Sequence, residues 1–80
     1  SKNMRQLAVK ILQLVKEDKD LQPLMVNESF QDELAILERT GFIRSFKPEI
    51  GQSPYECYDI TRKGIERLIE LEASNYKRVG

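Results

Sequence analysis

Two junctions between different kinds of secondary structure constrain the fold more than any other feature of this sequence. A helical pattern ends at Gly41, and an extended run rich in aromatic and β-branched residues, 42–47, follows directly. A second extended run, 55–60, ends at Thr61, after which helical spacing resumes. Glycine tolerates the left-handed backbone that turns a helix into a strand, and threonine caps the free amides of a new helix. The chain is therefore predicted to pass from helix to strand at Gly41 and from strand to helix at Thr61.

The segment 48–54 separates the two extended runs. It contains two prolines, one glycine and one serine, which are residues typical of turns. The two runs are therefore predicted to pair as one β-hairpin over 42–60.

Three helices are predicted from apolar residues that recur at helical spacing. The first covers 3–18, with Asn3 as its N-cap, the second covers 30–40, and the last covers 62–76. Their buried faces are expected at Met4, Leu7, Ala8, Ile11, Leu12, Leu14 and Val15; at Phe30, Leu34 and Leu37; and at Ile65, Leu68, Ile69, Ala73 and Tyr76.

The connection 19–29 between the first two helices is short. Pro23 disfavours a helical backbone at the residue before it, so this connection is expected to hold no more than a single turn around 21–25. Ser29, followed by Asp32, approximates a capping box that would start the second helix.

Composition limits the function as well as the fold. Eighty residues allow one domain, 1–80, and thirteen basic residues balance thirteen acidic ones. There is no histidine, and Cys57 is the only cysteine, so imidazole chemistry, an internal disulfide and a thiolate metal site are excluded. No apolar run is long enough to cross a membrane. We expect a cytoplasmic, nucleoid-associated or nuclear domain of the α+β class that is not an enzyme and carries no cofactor and no metal.

The two junctions resemble those of the winged helix-turn-helix superfamily. Residues 37–43, Leu-Glu-Arg-Thr-Gly-Phe-Ile, resemble the point where the third helix enters the first strand of the wing. Residues 58–68, Tyr-Asp-Ile-Thr-Arg-Lys-Gly-Ile-Glu-Arg-Leu, resemble the return strand and the threonine-capped final helix. The resemblance covers about residues 30–71 and is similar to what small bacterial and archaeal regulators carry. It implies a winged helix with three main helices, a two-stranded wing and a shortened second helix.

The same resemblance implies binding of double-stranded DNA in transcriptional or replication control. Residues 30–40 would then be the recognition helix, on which Gln31 and Arg39 are candidates for contact with base edges. A basic group on the wing and at the start of the last helix would contact phosphates through Arg44, Lys47, Arg62 and Lys63.

A protein-protein interaction module without DNA binding is the alternative. The balanced charge, the shortened second helix and the carboxylates of residues 28–38 favour it, and its contact face would consist of Asp32, Ala35, Ile36 and Glu38. A homodimer through the terminal helices is also possible, because the first helix has a wide apolar stripe and further apolar residues lie outside the stripes. The candidate dimer residues are Val9, Leu14, Leu71 and Tyr76.

Overall fold

A computed structural model describes the backbone of residues 2–79 and the side chains of residues 5–74. The chain forms three helices and a two-stranded antiparallel sheet, which is the α+β class predicted from the sequence and is compatible with a winged-helix-like fold. In chain order these elements are α1 (Lys2–Lys16), α2 (Phe30–Arg39), β1 (Ile43–Ser45), β2 (Tyr58–Ile60) and α3 (Arg62–Val79).

A short 3₁₀ helix, Gln22–Val26, replaces a full second helix. Pro23 lies in its first turn, where the missing amide hydrogen of proline costs nothing. The amide of Leu24 donates to the carbonyl oxygen of Leu21 at 2.9 Å. The single turn predicted for this connection is therefore confirmed.

Helix α1 ends at Lys16, earlier than the predicted end at residue 18. Asp18 has a left-handed backbone, with φ of 60°, which aspartate tolerates better than most residues. The amides of Asp18 and Lys19 turn back to the carbonyl oxygens of Val15 at 3.1 Å and Leu14 at 2.8 Å. This pair of bonds is a Schellman motif, which stops the helix without a glycine.

Helix α2 ends in the same motif, and here the predicted glycine forms it. Gly41 has φ of 82°, and its amide donates to the carbonyl oxygen of Glu38 at 3.0 Å. The amide of Phe42 donates to Leu37 at 2.9 Å. The predicted junction from helix to strand is confirmed. The predicted capping box at the other end of α2 is wrong, because within the described residues the Ser29 side chain makes no capping hydrogen bond.

The capping box lies instead in the hairpin, around a second 3₁₀ turn, Pro54–Glu56. The Ser53 hydroxyl accepts the amide of Tyr55 at 3.1 Å, and the Glu56 carboxylate accepts the amide of Ser53 at 3.3 Å. This local helical signal outweighs the strand propensity of the aromatic residues nearby. The predicted strand 55–60 therefore shortens to β2, and the predicted strand 42–47 shortens to β1.

The two strands pair in one register, with Ile43 opposite Ile60, Arg44 opposite Asp59, and Ser45 opposite Tyr58. Side chains from all three helices and from β1 meet in one hydrophobic core. The buried core residues are Leu7, Ala8, Val9, Ile11, Leu12, Val15, Leu21, Phe30, Leu34, Leu37, Ile43, Leu68 and Leu71.

The buried face of α3 differs from the predicted stripe. Gly64, Leu68 and Leu71 face the core, whereas Ile65 and Ile69 are 37% and 59% exposed. The stripe is rotated because α3 presents its glycine, and not its larger apolar residues, to the backbone of Phe42 and the side chain of Ile60. The helix also continues to Val79, beyond the predicted end at residue 76.

This packing corrects the assignment of two dimer candidates. The sequence places Val9 and Leu71 outside the apolar stripes of their helices, but both are buried within the chain, at 9% and 6% exposure. Leu14 is half-buried, and the side chain of Tyr76 lies outside the described residues.

Candidate nucleic-acid interface

Hydrogen bonds join the end of α2 to the start of α3 around the backbone of Phe42. The amide of Thr61 donates to the carbonyl oxygen of Phe42 at 3.1 Å. The Thr61 hydroxyl lies 2.6 Å from the carbonyl oxygen of Gly41 and 3.0 Å from that of Phe42, and it accepts the amide of Gly64 at 3.0 Å. Thr61 is thus the N-cap that the sequence predicts, and it also fixes the chain between α2 and β1.

Gly64 lets the first turn of α3 lie directly against this segment. A Cβ atom at position 64 would stand 2.0 Å from the carbonyl oxygen of Phe42 and 2.8 Å from the Cγ1 atom of Ile60. No side chain fits in that space. The glycine therefore sets how closely α3 approaches the base of the hairpin.

Lys63 reaches across the same junction. Its Nζ atom donates to the carbonyl oxygen of Thr40 at 2.8 Å and lies 5.2 Å from the centre of the Phe42 ring. A cation at the C-terminal end of α2 is favourable because the last carbonyl groups of a helix carry partial negative charge. Lys63, predicted to contact phosphate, therefore has its ammonium group bound within the chain.

Three arginines with exposed side chains lie on the elements that meet at this junction. Arg39 precedes Thr40 at the end of α2, Arg44 follows Ile43 on β1, and Arg62 begins α3. The side chain of Arg62 is 94% exposed, and its Nε atom lies 3.7 Å from the Glu66 carboxylate, which is a weak surface pair. Together Arg39, Arg44 and Arg62 form what we call the arginine end of the molecule.

Two features reduce the positive charge on the hairpin. Arg44 stands directly opposite Asp59 in the strand register, so part of its charge is balanced across the sheet. Lys47 is exposed beyond the end of β1, and Glu49 follows it closely in the chain. Of the predicted basic group, Arg44 on β1 and Arg62 at the start of α3 are exposed, Lys63 is engaged internally, and Lys47 lies further along the hairpin.

The side of α2 that faces the hairpin is held by two polar contacts. Gln31 donates from Nε2 to the Tyr55 hydroxyl at 2.9 Å, and the Ser45 hydroxyl donates to the Glu38 carboxylate at 2.8 Å. Burial raises the pKa of the Tyr58 hydroxyl, and the negative charge of Glu38 raises it further. Gln31 and Glu38 thus have partners within the chain, which leaves Arg39 as the candidate base contact with an exposed, positively charged side chain.

The residues of the alternative protein interface lie partly on the outward face of α2 and partly on its sides towards the hairpin and the cavity. Asp32, Ala35 and Glu38 are exposed, and Ile36 is half-buried. Ile36 also forms part of the wall of a cavity of about 300 Å³ among α1, α2 and α3.

Sequence reasoning missed the charged residues of this cavity. Glu33 is only 7% exposed, and burial raises its pKa above the usual range for a glutamate. Arg5 and Arg67 line the same cavity. The available signal was the position of Glu33 in α2, because it shares the helix face of Phe30 and Leu37.

Cys57 has a structural role. It is 1% exposed, its thiol donates to the carbonyl oxygen of Ser53 at 3.3 Å, and burial raises its pKa, with Glu56 and Glu49 adding to the effect. A thiol with a raised pKa carries little of the reactive thiolate.

Comparison with protein-family models, with curated proteins and with solved structures found no match to this chain. Among residues 2–79, no helix combines the length and the apolar character needed to cross a bilayer.

Proposed function

We propose that this chain is a winged-helix domain that binds double-stranded DNA, in transcriptional or replication control, mainly through backbone phosphates. The observation that supports this most directly is the arginine end. The hydrogen bonds around Phe42 hold three elements together there, and each element presents one exposed arginine. Arginine is well suited to this task because its planar guanidinium group pairs with phosphate oxygens through two parallel hydrogen bonds.

The charge distribution on α2 argues for phosphate contact over extensive base reading. Asp32 and Glu38 lie on the helix that would enter the major groove, where phosphates repel them. Gln31 would have to release the Tyr55 hydroxyl before it could reach a base. We therefore propose that Arg44, Arg62 and the more distant Lys47 contact phosphates, and that Arg39 reads the major groove.

A salt titration tests this proposal. The assay is fluorescence anisotropy of a labelled mixed-sequence duplex, titrated with the protein at several salt concentrations. Phosphate contacts release condensed cations, so the logarithm of affinity falls with the logarithm of salt concentration by about 0.9 per contact. Contacts from Arg44, Arg62 and Lys47 predict a slope of about −2.7.

Single substitutions assign this slope to residues. Arg44→Ala and Arg62→Ala should each weaken binding to all duplexes and reduce the slope by about 0.9. Lys16→Ala is the matched control, because it removes one exposed positive charge from the last residue of α1 and should leave the slope unchanged. An absence of binding even at low salt, or an equal effect of all three variants, would overturn the proposal.

The outward face of α2 favours one second candidate, a protein-interaction module. Ala35 and the partly exposed Ile36 lie on the same helix as the carboxylates of Asp32 and Glu38, which suits a partner that offers both apolar and basic groups. For this function, Ile36→Asp should abolish association with the partner while Arg62→Ala leaves it intact. A homodimer through α1 and α3 stays a prediction, and analytical ultracentrifugation of the whole chain measures it.

A further inference from the structure

The cavity among the three helices combines an apolar wall with separated opposite charges. Glu33 is almost fully buried, whereas Arg5 and Arg67 are exposed. Of the side chains described, neither arginine has a nitrogen within 4.0 Å of the Glu33 carboxylate. Leu37 and Phe42 supply apolar surface to the same space. The cavity therefore places a carboxylate and two guanidinium groups around one volume without pairing them to each other.

These charges select the kind of ligand that fits. A simple carboxylate would pair with the arginines but would bring a second negative charge to the buried Glu33. A simple amine would satisfy Glu33 but would meet two positive charges. A ligand that carries one ammonium and one carboxylate group pairs with both. A volume of about 300 Å³ is at the small end of the range for ligand pockets, so the ligand is a metabolite of modest size.

We propose that this cavity binds an apolar L-α-amino acid, with its ammonium group on Glu33, its carboxylate on Arg5 and Arg67, and its side chain against Leu37 and Phe42. The bidentate geometry of an arginine-carboxylate pair fixes the orientation of the ligand. A nearby ammonium group favours the charged form of a buried carboxylate, because the opposite charge offsets part of the cost of removing it from water. The site shares Phe42 with the junction that carries the arginine end, so an occupied cavity would stabilise that junction.

The test uses three compounds that differ by one group at a time. Isothermal titration calorimetry on the whole chain compares L-phenylalanine with 3-phenylpropanoate, which lacks the ammonium group, and with phenethylamine, which lacks the carboxylate. L-Leucine and L-methionine then report on the size of the side chain. We expect saturable binding of at least one of the three amino acids at millimolar concentration or below, and binding at least about ten-fold weaker for the two deleted analogues.

Two variants assign the charged groups. Glu33→Gln should lower the affinity for L-phenylalanine at least about ten-fold and should not lower the affinity for 3-phenylpropanoate, because only the first ligand has an ammonium group. Arg67→Gln should lower the affinity for both of these ligands, which carry a carboxylate, and should not lower the affinity for phenethylamine, which lacks one. Arg67 is exposed, so this variant keeps the fold and the test stands even if Glu33→Gln is poorly folded.

Three results would overturn the proposal. These are no saturable binding of any amino acid up to about 10 mM, equal affinity for all three phenyl compounds, and equal affinity of the wild-type chain and the Arg67→Gln variant. Equal affinities would mean that apolar burial alone drives the binding. The titration contains no DNA, so its outcome is independent of the outcome of the salt titration.

Discussion

Replacing Gly64 with alanine tests the packing that positions the arginine end. Alanine is about 1 kcal/mol better than glycine in the interior of a helix, so the substitution would stabilise an ordinary exposed helix. At position 64, however, the new Cβ atom would stand 2.0 Å from the carbonyl oxygen of Phe42. Ordinary carbon-oxygen contacts are about 3.3 Å or longer, so the two segments would have to separate by more than about 1 Å.

The steric cost exceeds the gain in helix propensity. Forcing an extra carbon into a packed site costs about 1–3 kcal/mol, and the upper value applies here because the neighbour is backbone and cannot rotate away. The Thr61 amide and hydroxyl also hold the Phe42 carbonyl in place. We therefore expect Gly64→Ala to lower the free energy of unfolding by about 2 kcal/mol, and the Tm by about 8–16 °C.

Urea unfolding followed by circular dichroism measures this change as a shift in the midpoint at constant slope. Glu70→Ala is the control, because it places alanine at an exposed position of the same helix and should change stability by no more than about 0.5 kcal/mol. If Gly64→Ala is as stable as the wild-type chain, or more stable, the close approach of α3 to Phe42 does not exist in solution.

The other predictions concern the cap and the buried carboxylate. Thr61→Val keeps the shape of the side chain but removes the hydroxyl that binds Gly64 and Gly41. It should therefore lower the free energy of unfolding by about 1–2 kcal/mol in the same urea assay. An unchanged free energy of unfolding would contradict the capping role. Burial raises the pKa of Glu33, so the folded state holds a proton that the unfolded state loses at lower pH. The wild-type chain should therefore lose stability relative to the Glu33→Gln variant as pH rises from about 4 to about 7. If the urea midpoint of the wild-type chain rises relative to that of the variant over this range, the pKa of Glu33 is not raised by burial.

Local signals in the sequence predicted much of the backbone. Gly41 and Thr61 act within one helical turn of their own positions, and Pro23 acts on its immediate neighbours. Because these effects need no distant partner, the end of α2, the start of α3, the hairpin and the short turn in the first connection followed from the sequence. The errors at β2 have a local cause as well, since Ser53, Pro54 and Glu56 form a capping box that outweighs strand propensity.

The candidate site was only partly predictable. The residue types of Arg39, Arg44 and Arg62 are visible in the sequence, and so is their exposure. Lys63 donates to the carbonyl oxygen of Thr40, and Gln31 donates to the Tyr55 hydroxyl. Both contacts depend on segments that are distant in the chain. A side chain selects a partner from whatever packs beside it, and the spacing of residues along one element does not contain that information.

By itself, then, the sequence determined the order of the elements, where α2 and β1 meet, and the α+β class. Only the tertiary structure decided which face α3 buries. Periodicity favours the face with the largest apolar side chains, Ile65 and Ile69, but the face that packs carries Gly64, because one position without a Cβ atom lets two backbones approach. The same packing places Glu33, Arg5 and Arg67, which come from three different helices, around one cavity. Helix propensity and capping are properties of a few neighbouring residues, whereas burial and the meeting of charges arise only when separate elements share one volume.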